Sequence, residues 1–160
     1  MNGKRQVLPG RAQVAEAGFS LIELLIVVAI ILILAAIAIP NFLRAKISAN
    51  ESAAASSIHA INTAEIAYSS ANPTIGYSAD LPSLGPTGGQ YIDSQLASGT
   101  KSGYQYTYVQ GPGVPSTTYT LNVDPLTRGV TGQRSFFSNE VNVTHTNTSA
   151  AALVTDPVLQ

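Results

Sequence analysis

The hydrophobic pattern of the chain is dominated by one uninterrupted apolar run, residues 19–39, which contains a single charged side chain, Glu23. As a helix with about 1.5 Å of rise per residue, this run covers roughly the 30 Å thickness of the hydrocarbon layer of a bilayer. It therefore predicts a membrane-spanning helix. A carboxylate in such a helix costs about 2.5–3.5 kcal/mol at its centre and less near an end, so Glu23 raises the question of a partner.

A helical pattern continues beyond the apolar run, over residues 41–71. Apolar residues recur there along one stripe and alanine is frequent, so we expect one helix over residues 19–71, stopped by Asn72 and Pro73. The stripe that we expect to pack against the rest of the chain consists of Ile47, Ala54, Ile58, Ile61 and Tyr68. The polar residues expected on other faces are Arg44, Lys46, Glu51, Asn62 and Glu65. A coiled-coil dimer is the alternative, and the glutamates at or beside its seam disfavour it.

Pro40 interrupts this helical pattern, because proline lacks an N–H donor and its ring clashes with the carbonyl four residues before it. Two interpretations follow from the sequence. Either the proline begins a new helix after the membrane, or a continuous helix is kinked at this position, and we expect the kink.

The last part of the chain, residues 72–160, has the composition of a small globular head. Residues 72–103 are rich in proline and glycine and predict a long surface loop with a helical turn near residues 93–97. Residues 104–109 and 119–123 alternate strictly and predict a hairpin, with further strands near residues 133–138 and 141–146. The predicted fold class is therefore α+β, a long N-terminal α-helix packed against a small antiparallel β-sheet of three or four strands.

Aromatic residues at alternate positions characterise the first of these strands, with Tyr104, Tyr106 and Tyr108 on one face. Cross-strand aromatic pairs are ordinary stabilisers of sheets, so we interpret these tyrosines as sheet packing. Electron conduction and sugar stacking are the functional alternatives.

Composition and charge narrow the function. The chain has 160 residues, a formal charge of -1, 11% charged residues, two histidines and no cysteine. Disulfides and thiolate zinc sites are therefore excluded, and no basic excess indicates specific nucleic-acid binding. Asp124, Glu140 and Asp156 match no calcium loop, so we expect no metal and no cofactor. Motifs of nucleophile elbows, zinc proteases and phosphate-binding loops are absent, and we expect no enzyme.

The apolar run has two simpler interpretations. Residues 36–38 (Ala-Ile-Ala) fit a signal-peptidase site, and the run can also be a plain single-pass anchor in which Glu23 is tolerated. Three cationic residues precede it and two follow it, which favours a cytoplasmic N-terminus. The preceding cations are Lys4, Arg5 and Arg11, and the following ones are Arg44 and Lys46.

The combination of features around the start of the run is more specific. Residues 18–23, Gly-Phe-Ser-Leu-Ile-Glu, resemble the cleavage and methylation motif of type IV prepilins and type II secretion pseudopilins. This resemblance implies that a dedicated peptidase removes residues 1–18 as a leader by cutting between Gly18 and Phe19, and that Phe19 becomes N-methylated. Glu23 and Pro40 then fall at the fifth and twenty-second mature positions, both characteristic of the family.

The resemblance also implies a role for Glu23. Cleavage leaves an ammonium group on Phe19 inside an apolar bundle, and Glu23 of one subunit can neutralise that amine on a neighbouring subunit. Losing one member of a buried ion pair costs about 3–5 kcal/mol, so the pair would set the axial stagger between subunits.

The function expected from the sequence is a structural subunit that polymerises into a type IV pilus used for adhesion, twitching motility or DNA uptake. A pseudopilin of a type II secretion system is the alternative, and a membrane-anchored or secreted binding module is the alternative of another class. The expected partners are further copies of the chain, a prepilin peptidase and methyltransferase, an inner-membrane assembly platform and, before assembly, the membrane. We expect a bacterial inner-membrane prepilin that moves to a surface pilus or a periplasmic pseudopilus.

Overall fold

The structure, a computed structural model, describes residues 18–159. The expected leader, apart from Gly18, and the three N-terminal cations lie outside the described residues. The described elements are α1 (Leu21–Ala71), α2 (Leu81–Leu84), α3 (Ser94–Ala97), β1 (Thr100–Lys101), β2 (Tyr104–Gln110), β3 (Tyr119–Pro125), β4 (Ser135–Asn139) and β5 (His145–Asn147). The chain divides into two structural units, Met1–Ile39 and Pro40–Gln160, with the dividing bond inside α1.

The long helix α1 confirms the helical pattern of the sequence and ends where the pattern predicts. After Ala71, both the backbone N–H and the side-chain amide of Asn72 donate to the carbonyl of Tyr68, each at 2.9 Å. These bonds satisfy a carbonyl that the helix end leaves without an intrahelical partner, and Pro73 then prevents continuation.

A five-stranded antiparallel sheet forms the centre of the head, with the strands in sequence order. The sequence predicted three or four strands. The additional strand is β1 and the displaced one is β5, and both are short. β1 has two residues and joins β2 through Ser102 and Gly103, whose φ values of 52° and 76° match the twist of a two-residue hairpin. The fourth predicted strand appears as β5, which has three residues and begins later than predicted.

The core lies between the inner face of this sheet and the predicted stripe of α1. Ala54, Ile58 and Ile61 are fully buried, whereas Ile47 and Tyr68 at the ends of the stripe are half-buried. The alternation predicted for the strands places Tyr104, Tyr106, Tyr119, Leu121 and Val123 in the same core. The sheet covers the stripe, as predicted, and the α+β fold class is confirmed.

The prediction that all the polar residues of α1 lie on other faces is wrong for three of them. Glu51, Asn62 and Glu65 are 7%, 1% and 0% exposed, whereas Arg44 and Lys46 are exposed as predicted. The two glutamates and the asparagine lie beside the apolar stripe, where the head covers them. Their polar side chains can be buried because the head supplies a hydrogen-bond partner for each of them.

The partners of Asn62 and Glu65 come from the sheet and from the loop that follows α1. Tyr119 donates its hydroxyl to Asn62 Oδ1 at 2.8 Å, and the backbone N–H of Ser78 donates to Glu65 Oε2 at 2.9 Å. The Ser78 hydroxyl also donates to Glu65. A buried carboxylate or amide without hydrogen-bond partners destabilises a fold. These contacts therefore allow Glu65 and Asn62 to be buried beneath the head.

Candidate functional site

The predicted cleavage bond lies in an exposed, non-helical segment immediately before α1. Gly18, Phe19 and Ser20 are all exposed, Phe19 to 78%, and no heavy atom lies within 4 Å of the position where a Cβ on Gly18 would stand. A peptidase needs an accessible backbone, and these residues are exposed and lie outside the helix. The cut between Gly18 and Phe19 and the methylation of Phe19 stay predictions.

The carboxylate of Glu23 folds back onto the start of α1. The backbone N–H of Ser20 donates to Glu23 Oε2 at 2.9 Å, and the N–H of Leu24 donates to the Ser20 carbonyl at 3.2 Å. Ser20 thus occupies the N-cap position and Glu23 the third helical position, as in one half of a capping box. A negative charge at this end of a helix also interacts favourably with the helix dipole.

The capping arrangement has a consequence for the predicted pairing with an amine. The Glu23 carboxylate lies at the start of α1, close along the chain to the backbone nitrogen of Phe19 that cleavage would convert into an ammonium group. In the described residues, Glu23 accepts a hydrogen bond from the Ser20 amide. Its pairing with the Phe19 amine of a neighbouring subunit stays a prediction.

The large side chains of the apolar part of α1 are exposed. Every large apolar side chain from Leu21 to Ile39 is between 46% and 80% exposed. Among the described residues, α1 is the one helix long and apolar enough to cross a membrane by length and composition. So large an exposed apolar surface requires lipid or other protein around it.

Pro40 lies inside α1, and the helix is continuous on both sides of it. A new helix does not begin at the proline. The predicted kink stays a prediction.

The sequence pattern missed Glu51, which fastens the head to α1. Arg134 Nε donates to Glu51 Oε2 at 2.7 Å, and the backbone N–H groups of Gln133 and Arg134 donate to Glu51 Oε1 at 2.9 and 3.0 Å. Burial by itself raises the pKa of Glu51, but these hydrogen bonds and the guanidinium charge outweigh burial and lower the pKa. A glutamate adjoining an apolar stripe was the available signal, although its partners lie more than 80 residues away.

Comparison with known proteins agrees with the N-terminal geometry. The family model described as a prokaryotic N-terminal methylation motif matches residues 14–39. Over 51 residues the chain is 53% identical to the type IV major pilin protein PilA of Myxococcus xanthus (strain DK1622). That match covers 32% of this chain and 23% of the relative's length. No solved structure matches the chain significantly.

The motif match contains both Gly18 and Glu23 and ends at Ile39, the last residue of the predicted membrane span. The pilin match shows that a long stretch of this chain has its counterpart in a major pilin. By these two findings residues 14–39 carry a prokaryotic N-terminal methylation motif, and about a third of the chain is similar to part of a type IV major pilin.

Proposed function

We propose that this chain is a structural subunit, without catalytic activity of its own, that polymerises into a type IV pilus. The observation that carries the proposal is the first half of α1, which lies within the matched methylation motif and whose large apolar side chains are exposed. The mature subunit comprises residues 19–71 as the helix and residues 72–160 as the head.

The physical basis of assembly is an exchange of surroundings. Lipid tails are about as apolar as leucine and isoleucine, so moving α1 from the bilayer into a bundle of identical helices changes the hydrophobic free energy little. Packing between helices and specific polar pairs then decide whether subunits associate. The ion pair between Glu23 and the Phe19 amine of the next subunit supplies such a polar interaction.

The pairing also explains why the carboxylate is placed near the helix start. An unpaired ammonium and an unpaired carboxylate are each costly in an apolar environment, and the two compensate each other only when the subunits have the correct axial offset. The same pair would therefore favour one stagger over others.

The expected route follows from the motif. The chain inserts into the bacterial inner membrane with residues 1–18 in the cytoplasm, and the prepilin peptidase cuts after Gly18 and methylates Phe19. An inner-membrane assembly platform then extracts the subunit into a fibre that reaches the cell surface. Adhesion, twitching motility and DNA uptake are the functions that such fibres serve.

The pilus is favoured over the short pseudopilus of a secretion machine by the relative that the chain matches, which is named as a major pilin. A pilin and a pseudopilin share the motif and the long helix. The length of the fibre that each forms distinguishes the two interpretations. A pilus extends micrometres beyond the cell, and a pseudopilus remains within the periplasm.

The deciding experiment combines two measurements on the native protein. Cells are sheared, the released fibres are imaged by negative-stain microscopy, and the protein in them is analysed by N-terminal sequencing and intact mass. We expect long fibres whose subunit begins with N-methylated Phe19. A chain that retains residues 1–18, or that begins at Ile39 after cleavage by signal peptidase, would contradict the proposal.

A further inference from the structure

One long edge of the sheet is left open. β1 pairs only with Tyr104 and Gln105 of β2. The last backbone hydrogen bond along this edge runs from the Tyr106 N–H to the Gly99 carbonyl, at 2.8 Å. Gly99 itself donates to Leu96. Within residues 18–159, no strand covers the remainder of β2 on this side.

The register of the sheet shows which backbone groups face the open edge. Gly111 donates to the Thr118 carbonyl at 2.8 Å, which continues the register of β2 against β3. Since hydrogen-bonded positions alternate in an antiparallel pair, Tyr106, Tyr108 and Gln110 direct their N–H and C=O groups away from β3. The N–H groups of Tyr108 and Gln110 and the carbonyls of Tyr106 and Tyr108 have no backbone partner among the described residues.

The opposite edge of the same sheet is covered by another segment of the chain. β5 is covered by the C-terminal segment, where Thr146 donates to the Pro157 carbonyl at 2.9 Å and Leu159 donates to the Thr144 carbonyl at 2.8 Å. Proteins normally protect a free edge with charges, proline or a bulge. The open part of β2, residues 106–110 (Tyr-Thr-Tyr-Val-Gln), contains no charge and no proline.

A groove of about 330 Å³ runs beside this edge. Residues 105–108 of β2 form one side of it, and the other lining comes from the start of α2 and the end of α3. The residues lining it outside β2 are Asp80, Leu81, Pro82, Ala97, Ser98 and Gly99. An extended segment lying in the groove would reach the free backbone groups of Tyr106 and Tyr108, and its continuation along the edge beyond the groove would reach Gln110.

The charge of the groove indicates the character of the segment. Asp80 is exposed and accepts hydrogen bonds through Oδ1 from the N–H and hydroxyl of Ser83, but no cationic side chain pairs with it in the described part of the chain. The sequence after Lys46 contains seven carboxylate side chains and three cationic side chains, so this part of the chain has a net negative charge. A lysine or arginine on the incoming segment would therefore be favoured.

A second copy of this chain does not provide such a segment. The three cationic side chains of the head are engaged: Lys101 with Asp93, Arg134 with Glu51, and Arg128 with backbone carbonyls. Arg44 and Lys46 lie within helix α1, which cannot pair as a strand. Lys4, Arg5 and Arg11 belong to the leader that the proposed function removes, so the exclusion of a second copy rests on that cleavage.

We propose that the open edge of β2 binds an extended, lysine- or arginine-bearing segment of a different protein, which adds to the sheet as a sixth strand. Backbone hydrogen bonds to Tyr108 and Gln110 provide the attachment, and Asp80 selects for a positive charge. This inference concerns the surface of the head and does not depend on polymerisation.

The test uses the full chain in detergent micelles and a synthetic eight-residue peptide of alternating threonine and valine with one central lysine. Amide hydrogen exchange is measured by NMR with and without the peptide. We expect slower exchange at Tyr108 and Gln110, whose N–H groups face the edge, and unchanged exchange at Thr107 and Val109, whose N–H groups already face β3. No protection at Tyr108 and Gln110 with about 1 mM peptide would overturn the proposal.

Three controls separate strand addition from other binding. A peptide N-methylated at alternate residues loses the backbone donors and should bind about tenfold more weakly. Asp80→Asn retains the oxygen that caps α2 but removes the charge, and should weaken the lysine peptide about threefold to tenfold without affecting a peptide with norleucine in place of lysine. Asp124→Asn, a carboxylate of β3 outside the groove, should change nothing. Equal affinity of the methylated peptide, or equal effects of Asp80→Asn and Asp124→Asn, would contradict the proposal.

Discussion

Glu23 is the residue on which the assembly proposal depends most directly. In the single chain its carboxylate caps α1 through the Ser20 amide, a contact worth about 1 kcal/mol that many residues could replace. Pairing with an amine in an apolar bundle is worth much more, because either charge alone is costly there. The two roles can therefore be separated by mutation.

We predict that Glu23→Ala leaves the chain in the membrane but reduces the yield of fibres at least tenfold. The loss of one member of a buried pair, about 3–5 kcal/mol, leaves the Phe19 amine of the neighbouring subunit uncompensated. The measurement is an immunoblot of sheared fibres against the membrane fraction. Leu24→Ala, an apolar neighbour in the same helical turn, is the matched control, and fibres of Glu23→Ala at the wild-type yield would show that the carboxylate has no part in assembly.

Glu51 gives a prediction for stability at the same scale. Its pKa is lowered from 4.5, so its contribution to the free energy of unfolding is complete above the unfolded value and is lost as the pH falls through the folded one. Glu51→Gln should therefore lower stability by about 1–3 kcal/mol at pH 7 and reduce the loss of stability below pH 4.5.

The measurement for Glu51 is urea unfolding of the wild type and the variant across the acid range. Asp124→Asn serves as the control, because the carboxylate of Asp124 makes no hydrogen bond or ion pair within the described residues. Parallel stability curves for the wild type and Glu51→Gln below pH 5 would contradict the assignment of this pH dependence to Glu51.

At the scale of elements, local periodicity was sufficient to predict a helix or strand where the apolar residues of the sequence pattern are also the buried residues of the structure. Alternating tyrosines predicted β2, and the apolar stripe predicted the buried face of α1. Both signals are local periodicities within one element. The strand β1 was missed because two residues show no period, although Ser102 and Gly103 carried the turn signal.

Burial of charged residues could not be predicted in the same way. Glu51 and Glu65 are polar by composition, and their donors belong to segments 13 to 83 residues away. A rule that places carboxylates in solvent fails when a folded head supplies N–H groups at the right positions. The candidate site at residues 18–23 was predicted from its resemblance to the prepilin motif, and the charge of Glu23 in an apolar run was the part of the signal that needed no knowledge of the fold.

The C-terminal segment offers a test at this scale. Residues 148–159 contain no helix or strand, and Arg128 fastens them by donating to the carbonyls of Thr148 and Ala150, each at 3.0 Å. The guanidinium also reaches Ser135 of β4 at 2.7 Å. Arg128 therefore connects the start of the segment to β4, while the side chains of Gln133, His145 and Asn147 and the backbone bonds to β5 also hold the segment.

We predict that Arg128→Lys raises amide exchange in residues 148–156 at least fivefold while the exchange of β2 and β3 stays as in the wild type. Lysine keeps the charge, but its compact ammonium group lacks the planar fork that reaches several acceptors at once. Hydrogen exchange by mass spectrometry measures both regions in one experiment. Uniformly faster exchange throughout the head would show instead that Arg128 supports the whole fold.

At the scale of the whole molecule, the two units of the chain have opposite requirements. The large apolar side chains before Pro40 are exposed throughout, whereas the head closes its own core around Ile58, Ile61, Tyr104 and Leu121. The polar contacts of α1 with the head begin at Asn50, which donates to the Thr131 carbonyl at 2.7 Å. The part of α1 before residue 47 contributes no fully buried side chain to the head.

We therefore predict that a chain beginning at residue 44 folds as a soluble monomer. It retains the buried stripe of α1 and every strand, and it lacks the exposed apolar helix that requires lipid or neighbouring subunits. Sedimentation velocity without detergent should give a monomer, and hydrogen exchange of the sheet should match that of the full chain in micelles. A chain beginning at residue 55 is the matched comparison, because it additionally loses Asn50, Glu51 and Ala54, and its midpoint in urea should be clearly lower. Aggregation of the longer fragment, or equal midpoints of the two, would mean that the head depends on parts of α1 other than those that contact it here.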